Sequence, residues 1–83
     1  MYEQIPLRSL DVMESGRVTA VQTTESMRRR FWDIGIAKGT VVRCLYSAPS
    51  GDPRAYAVHG AVIAIRDRDA GDVWVAPLMG VDP

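Results

Sequence analysis

The chain has 83 residues, of which 47% are apolar and 24% are charged. This length suits one small domain, because domains commonly hold about 100 to 200 residues. A chain of this size buries only about 60% of the surface that it exposes when unfolded, which leaves a thin core. Ten basic and ten acidic residues cancel, so the sequence lacks the positive field that favours nucleic-acid binding. We therefore expect a single domain over residues 1–83 and no nucleic-acid partner.

The sequence predicts neither a membrane span nor a disulfide. No apolar run approaches the roughly 20 residues that cross a bilayer, and the N-terminus has no apolar signal core after a positive segment. Cys44 is the only cysteine, which agrees with a reducing compartment. We expect a soluble cytoplasmic protein with no direct membrane insertion.

The first predicted elements are an N-terminal turn and a strand. Leu7 and Leu10 lie three residues apart and can share one face of a turn that covers one end of the core. Residues 17–22 are rich in β-branched side chains, which predicts the first strand.

A short helix is predicted next, over residues 25–34. Capping residue types precede it, and its apolar positions recur at helical spacing. Gly35 can take the left-handed conformation that ends helices. We expect the helix to bury its apolar stripe, which consists of Met27, Phe31 and Ile34.

Four more strands follow the helix, each dense in β-prone or apolar side chains. They are predicted at residues 40–46, 55–59, 61–65 and 73–76. The polar residues 66–72 form the connection before the last strand, and Pro77 is expected to stop that strand. The pattern predicts a mainly β protein, a small five-stranded barrel with one short helix inserted after the first strand. Its antiparallel sheet is expected to bend strongly and close on itself, which removes exposed edges.

Glycine and proline mark the predicted turns. Gly39 is expected to supply the positive φ of a type II turn before the second strand. Residues 48–53, which include Gly51 and Pro53, are dense in turn formers. Gly60 predicts a break or a bulge before the fourth strand.

Cys44 and His59 are the candidate metal ligands, since soft and borderline metals bind thiolate and imidazole. They lie in separate predicted strands and do not form the close ligand pairs that are typical of zinc sites. The favoured interpretations are a small core residue for Cys44 and a solvated or hydrogen-bonded strand-end side chain for His59. We expect no required cofactor; weak binding of Fe²⁺ or another divalent metal, with Asp52 as a further ligand, is the alternative.

The scarcity of reactive residues also argues against an enzyme. Nucleophilic catalysis needs a base and an orienting group around Ser, Cys or Thr, and the one histidine lies far along the chain from any marked nucleophile. The Gly51-Asp52-Pro53 turn lacks the glycine spacing and the lysine of phosphate-binding loops. No catalytic residue is predicted.

The arginine run at residues 28–30 is the feature that most suggests a binding surface. Successive guanidinium groups on a helix can meet an acidic surface of a partner, although charged runs also form solvated helix faces. Trp32 beside the arginines has the composition of an interface hot spot, but core packing is the slightly favoured interpretation of this residue. The predicted partner contacts on the helix are Arg28, Arg29 and Trp32. Asp52 and Arg54, in the turn after the second predicted strand, are further predicted contacts and an alternative surface.

Four sequence runs, taken together, resemble one known family. They are RRFWDIGI at 29–36, GTVV at 39–42, APSGDPRAY at 48–56 and HGAVIAIR at 59–66. In order and spacing they resemble the FeoA family, small cytoplasmic accessory proteins of bacterial ferrous-iron uptake. Two residues depart from the family pattern: Lys38 stands where Pro is frequent, and Trp32 where Leu or Met is usual.

The resemblance implies an SH3-like barrel with a core of about residues 5–76 and a C-terminal tail over 77–83. It implies an adaptor without settled catalytic residues, which acts beside FeoB, the membrane ferrous-iron transporter with a cytoplasmic GTP-binding domain. Our main hypothesis is that the chain modulates FeoB through protein–protein contacts; regulation of GTP hydrolysis by an arginine supplied in trans is a variant of it. A related barrel in iron-dependent repressors suggests metal sensing as the alternative, and the apolar tail leaves a homo-oligomer open.

Overall fold

The computed structural model describes residues 3–78, which form one bent antiparallel sheet with a helix packed against it. The strands are β1 (Ile5–Pro6), β2 (Ser15–Val21), β3 (Val41–Ser47), β4 (Arg54–Val58), β5 (Ala61–Ile65) and β6 (Val73–Leu78). The helices are α1 (Glu25–Asp33) and α2 (Asp67–Ala70), and a 3-10 turn spans Leu7–Ser9. The predicted mainly β fold, with a short helix after the first long strand, is confirmed. Residues 79–83 of the predicted tail lie outside the described residues.

The strand order in the sheet is β1-β6-β2-β3-β4-β5, and every neighbouring pair is antiparallel. The sheet contains six strands rather than the predicted five, because Ile5 pairs with Val75 and Pro6 with Trp74. A stretch of two residues carries too little periodicity to be recognised as a strand from sequence. Within the described part of the chain the end strands β1 and β5 do not pair with each other, so the expected closure of the sheet by hydrogen bonds is not found.

One local prediction at the C-terminal end is wrong. Pro77 does not stop the last strand, but lies inside β6 opposite Gly16 of β2. Proline is tolerated there because β1 covers the other side of β6 only at Trp74 and Val75, so no ladder hydrogen bond is lost on that open side. The polar connection at residues 66–72 contains the short helix α2.

The core lies between the concave face of the sheet, α1 and the N-terminal segment. Its members are buried apolar residues from every part of the chain, chiefly Leu7, Leu10, Val18, Phe31, Ile36, Val42, Tyr56, Val58, Val73 and Val75. The N-terminal turn therefore covers the core, as expected. The apolar stripe of α1 is buried only in part: Phe31 is 3% exposed, Met27 is half-buried, and Ile34 is 38% exposed. Ile34 caps the C-terminal end of the helix, where the chain turns away from the sheet.

The predicted turns are present. The Thr40 N–H donates to the Ala37 carbonyl at 3.0 Å, and Gly39 between them has φ +96°, which matches the expected type II turn. The other predicted turn positions are Gly35, Gly51 and Gly60, all with positive φ, and Pro53, which follows a cis peptide bond. Within residues 3–78, no helix is both long enough and apolar enough to span a membrane.

Candidate partner-binding site

Defined caps hold helix α1 in place at both ends. The Thr24 hydroxyl accepts a hydrogen bond from the Met27 N–H at 3.3 Å, which satisfies a free donor of the first turn. At the other end Gly35, with φ +92°, donates to the Trp32 carbonyl at 3.0 Å, and Ile36 donates to the Phe31 carbonyl at 2.8 Å. This is the Schellman arrangement that ends many helices at a glycine.

The caps and the buried Phe31 together decide which side of α1 faces solvent. At 100° per residue, Arg28, Arg29 and Trp32 lie away from the direction of Phe31, and all three are exposed. Trp32 is 70% exposed, so the interpretation that it packs in the core is wrong. The indole faces outward because Phe31 packs in the core and the next residue of a helix points about 100° away from it.

Trp32 stands between two concave surfaces. On one side, a groove of about 260 Å³ lies between the helix and β2, lined by Thr19, Ala20, Val21, Arg28, Trp32, Ile36, Ala37 and Lys38. On the other side, a shallower polar surface is lined by Glu25, Arg28, Arg29 and Trp32. The structure therefore brings three predicted contact residues, Arg28, Arg29 and Trp32, to one place, and adds a groove wall from β2 and from the segment after the helix.

The positive charges around Trp32 are not neutralised by other described residues. Arg28, Arg29 and Lys38 are exposed, and within residues 3–78 they form no ion pair and no side-chain hydrogen bond. Glu25 is the acidic residue that lines the polar surface. The site combines an exposed aromatic ring, an apolar groove and a net positive rim.

Asp52 and Arg54, the other predicted contact residues, form internal structural contacts instead. The Asp52 carboxylate accepts a hydrogen bond from the Asp67 N–H at 3.0 Å, at the start of α2. The half-buried Arg54 donates to the Leu10 carbonyl at 2.5 Å and to the Cys44 sulfur at 3.6 Å. The structure does not bring these two residues to the Trp32 site, and Arg54 is directed toward the interior.

A buried cluster surrounds the inner end of Arg54. Cys44 and Tyr56 are cross-strand partners on β3 and β4, and both are buried. Burial raises the pKa of the Cys44 thiol, which Arg54 opposes through its positive charge. Burial likewise raises the pKa of Tyr56 to about 12, with a smaller opposing effect of Arg54. The Tyr56 hydroxyl has no hydrogen-bond partner among the residues that the structure describes.

The two candidate metal ligands lie in different environments. Cys44 is buried in the core, as the favoured interpretation expects. His59 is exposed in the two-residue turn between β4 and β5 and has φ +49°; its ring lies against Gly35, at 2.7 Å from where a side chain on that glycine would begin. The described residues contain no group of three or more His, Cys, Asp or Glu side chains that could hold a metal ion. Weak iron binding stays a prediction.

Sequence reasoning missed the groove beside Trp32. Its wall residues Ala20, Val21 and Ala37 are small apolar residues without a local signal, and they meet the helix only through the tertiary fold. Ile36 is the exception, since an apolar residue directly after a C-terminal glycine packs against the last helical turn in this kind of cap.

A FeoA domain profile matches residues 5–77. The chain belongs to the FeoA family. This confirms the resemblance that the four sequence runs indicate. No curated protein sequence matches the chain significantly.

Solved structures of FeoA proteins have the same fold. A FeoA-like protein of Clostridium acetobutylicum is 28% identical, with a TM-score of 0.86 over 100% of this chain and 96% of that one. FeoA of Chlorobium tepidum is 29% identical, with a TM-score of 0.85 over 94% of this chain and 74% of that one. FeoA of Stenotrophomonas maltophilia, solved with zinc, is 30% identical, with a TM-score of 0.73 over 83% of this chain and 86% of that one.

The S. maltophilia protein is described as a prokaryotic SH3-domain protein and as a candidate activating factor of bacterial ferrous iron transport. The SH3-like fold is thereby confirmed. A manganese-dependent transcriptional repressor is 22% identical with a TM-score of 0.83, a likeness that concerns the fold alone. Membership of the FeoA family supports a role in ferrous iron transport.

Proposed function

We propose that this FeoA chain binds the cytoplasmic part of a FeoB-type membrane transporter and modulates ferrous iron uptake through protein–protein contacts. The surface that we assign to this contact is the Trp32 site, defined as Arg28, Arg29 and Trp32 on α1 with the adjoining groove. One observation carries the assignment: an exposed aromatic ring lies among three cations that have no ion-pair partner within the described residues. Tryptophan and arginine are the side chains most enriched in interface hot spots.

The composition of the Trp32 site suits binding. Its arginine, tryptophan and small apolar side chains can bind and orient another macromolecule. The function would be a mechanical or allosteric effect on the transporter, in which the chain stabilises one of its conformations by binding it more tightly than the others.

The test is a charge reversal on the helix. The double variant Arg28→Glu, Arg29→Glu should weaken binding to the purified transporter in lipid nanodiscs by at least about tenfold, because charges opposed across an interface both steer association and hold the complex. The circular dichroism spectrum should not change, since both side chains are exposed. Binding is measured by biolayer interferometry.

A matched control reverses two arginines elsewhere. Arg66 and Arg68 are also exposed, and the double variant Arg66→Glu, Arg68→Glu changes the net charge equally without touching the Trp32 site. It should retain binding. Equal affinities of the helix variant and the parent would exclude this face as the contact. In the same preparation, GTP turnover with and without the chain distinguishes regulation of hydrolysis from simple docking.

A further inference from the structure

We infer that the groove between Trp32 and β2 receives an apolar side chain from an acidic segment of the partner protein. This inference rests on the proposed function and specifies the chemistry of the partner at that site. The Trp32 site would then recognise a linear motif, an aliphatic residue such as leucine flanked by aspartates and glutamates.

The residues that line the groove favour binding of an apolar side chain. Its apolar lining consists of Ala20, Val21, Ile36, Ala37 and Trp32. Small side chains in this lining leave the concavity open, while the indole ring of Trp32 is 70% exposed. An aliphatic side chain placed here would cover the indole and the alanines at once, and such burial of apolar area is the main favourable term in association.

The charges at the rim of the groove favour a ligand with acidic residues on both sides of that apolar residue. Arg28 and Lys38 line the groove itself, and Arg29 lies on the other side of the indole. None of the three forms an ion pair within residues 3–78, so their donors are available to carboxylates of a ligand. A guanidinium can bind a carboxylate through two parallel hydrogen bonds, which fixes orientation as well as charge.

The dimensions of the groove favour a peptide over other acidic ligands. A volume of about 260 Å³ lies below the roughly 300 to 1,000 Å³ of typical small-molecule sites, but accommodates one side chain. An anionic membrane would instead contact a protruding surface, and could not place a headgroup and an acyl chain in a concave groove walled by the strand β2. A second copy of this chain is disfavoured because the two positive rims would repel each other.

The probe is a short synthetic peptide with a central leucine flanked on both sides by glutamates and aspartates. Titrated into the ¹⁵N-labelled protein and followed by NMR, it should shift the indole N–H of Trp32 and the amides of Ala20 and Ala37 in a saturable way. A second peptide with alanine in place of leucine should bind at least about fivefold more weakly, because it leaves the groove empty. A third with lysines in place of the acidic residues should not bind.

Variants of the protein distinguish the apolar contribution to peptide binding from the electrostatic contribution. Trp32→Ala should weaken binding of the leucine peptide, but not of the alanine peptide, because it removes only the groove wall. Arg28→Glu with Arg29→Glu should weaken binding of both peptides at least about tenfold. The control Arg66→Glu with Arg68→Glu should bind both as the parent does.

Three outcomes would overturn the inference. They are no shifts at millimolar leucine peptide, shifts that centre away from the Trp32 site, and equal affinity for the leucine and alanine peptides. Sedimentation with vesicles rich in anionic phospholipid, lost in Trp32→Ala while the peptides fail to bind, would assign the surface to lipid instead. If the peptide binds as expected but the transporter does not bind, the proposed function is wrong and the inference stands. If the transporter binds and tolerates Trp32→Ala, the inference is wrong and the proposed function stands.

Discussion

Tyr56 places a hydroxyl group in the core without a hydrogen-bond partner among the described residues. Its ring is fully buried on β4 beside Cys44 of β3. Burial raises the pKa of this phenol from 10.0 to about 12, because the charged phenolate loses its hydration inside the protein. Tyr56 therefore makes the free energy of unfolding depend on pH in the alkaline range.

We predict that the free energy of unfolding falls as the pH rises from 10 to 12, and that Tyr56→Phe reduces this fall. The unfolded chain releases the phenol proton near pH 10, whereas the folded protein retains it to about 12, so the stabilising contribution is complete below pH 10 and is lost above it. The difference is at most about 3 kcal/mol. Urea denaturation across this pH range measures it.

Two outcomes check the assignment to Tyr56. The control Tyr46→Phe changes a tyrosine that is 59% exposed on β3, and it should leave the slope of the parent unchanged. A Tyr56→Phe protein that loses stability as steeply as the parent would contradict the prediction. Burial also raises the pKa of the Cys44 thiol, and this cysteine is unchanged in the parent and in both tyrosine variants.

Helix α1 has a buried face and a solvent-exposed face at adjacent residues. Phe31 is 3% exposed and completes the core, whereas Trp32 is 70% exposed and contacts solvent. Successive helical residues point 100° apart, and the Gly35 cap holds the rotation of the last turn through the hydrogen bonds of Gly35 and Ile36. A substitution at Trp32 can therefore change the proposed binding surface without changing the core, and a substitution at Phe31 can change the core without changing that surface.

We predict that Phe31→Ala destabilises the protein by about 3 to 5 kcal/mol, because it leaves a cavity in a thin core. Trp32→Ala should change the unfolding free energy by less than about 1 kcal/mol, since the lost side chain is mostly in water. Chemical denaturation followed by circular dichroism measures both. A Trp32→Ala protein that is as unstable as Phe31→Ala would show that the indole packs in the core after all.

One side chain links the N-terminal segment to strand β4, which lies beside the edge strand β5. Arg54 of β4 donates to the Leu10 carbonyl, across 44 positions of sequence. Leu7 and Leu10 are fully buried, so this hydrogen bond closes the N-terminal turn over the core. The cluster of Arg54, Cys44 and Tyr56 holds together parts of the chain that no local interaction connects.

We predict that Arg54→Met destabilises the protein by about 1 to 3 kcal/mol, because it removes a charge-assisted hydrogen bond to a carbonyl in a half-buried place. Hydrogen exchange at the Leu10 amide, which donates to the Leu7 carbonyl at 3.1 Å, should accelerate with it. Arg17→Met is the control for loss of an arginine-to-carbonyl hydrogen bond away from Leu10. Arg17 donates to the Gly39 carbonyl at 3.0 Å on an exposed surface. Unchanged exchange at Leu10 in Arg54→Met would show that the N-terminal turn holds without this bond.

The local chemistry of the chain predicts much of this fold. The long strands, helix α1, and the turns at Gly39 and residues 48–53 follow from β-branched density, capping residues and the positive φ that glycine tolerates. The family is also readable from sequence, because its motifs preserve the order and spacing of these turns. Charge and helical spacing also suffice to predict that Arg28 and Arg29 lie on an exposed helix face.

Local patterns suffice for the five longer strands, helix α1 and its charge, and the burial of Phe31, but not for β1 or α2. The outward position of Trp32, the inward contact of Arg54 with Leu10, and the groove that Ala20 and Ala37 line beside Trp32 follow from the tertiary fold alone. The physical reason is the range of the interactions. Propensity and capping act over a few residues, whereas burial and groove formation depend on which distant strands occupy the space around each side chain.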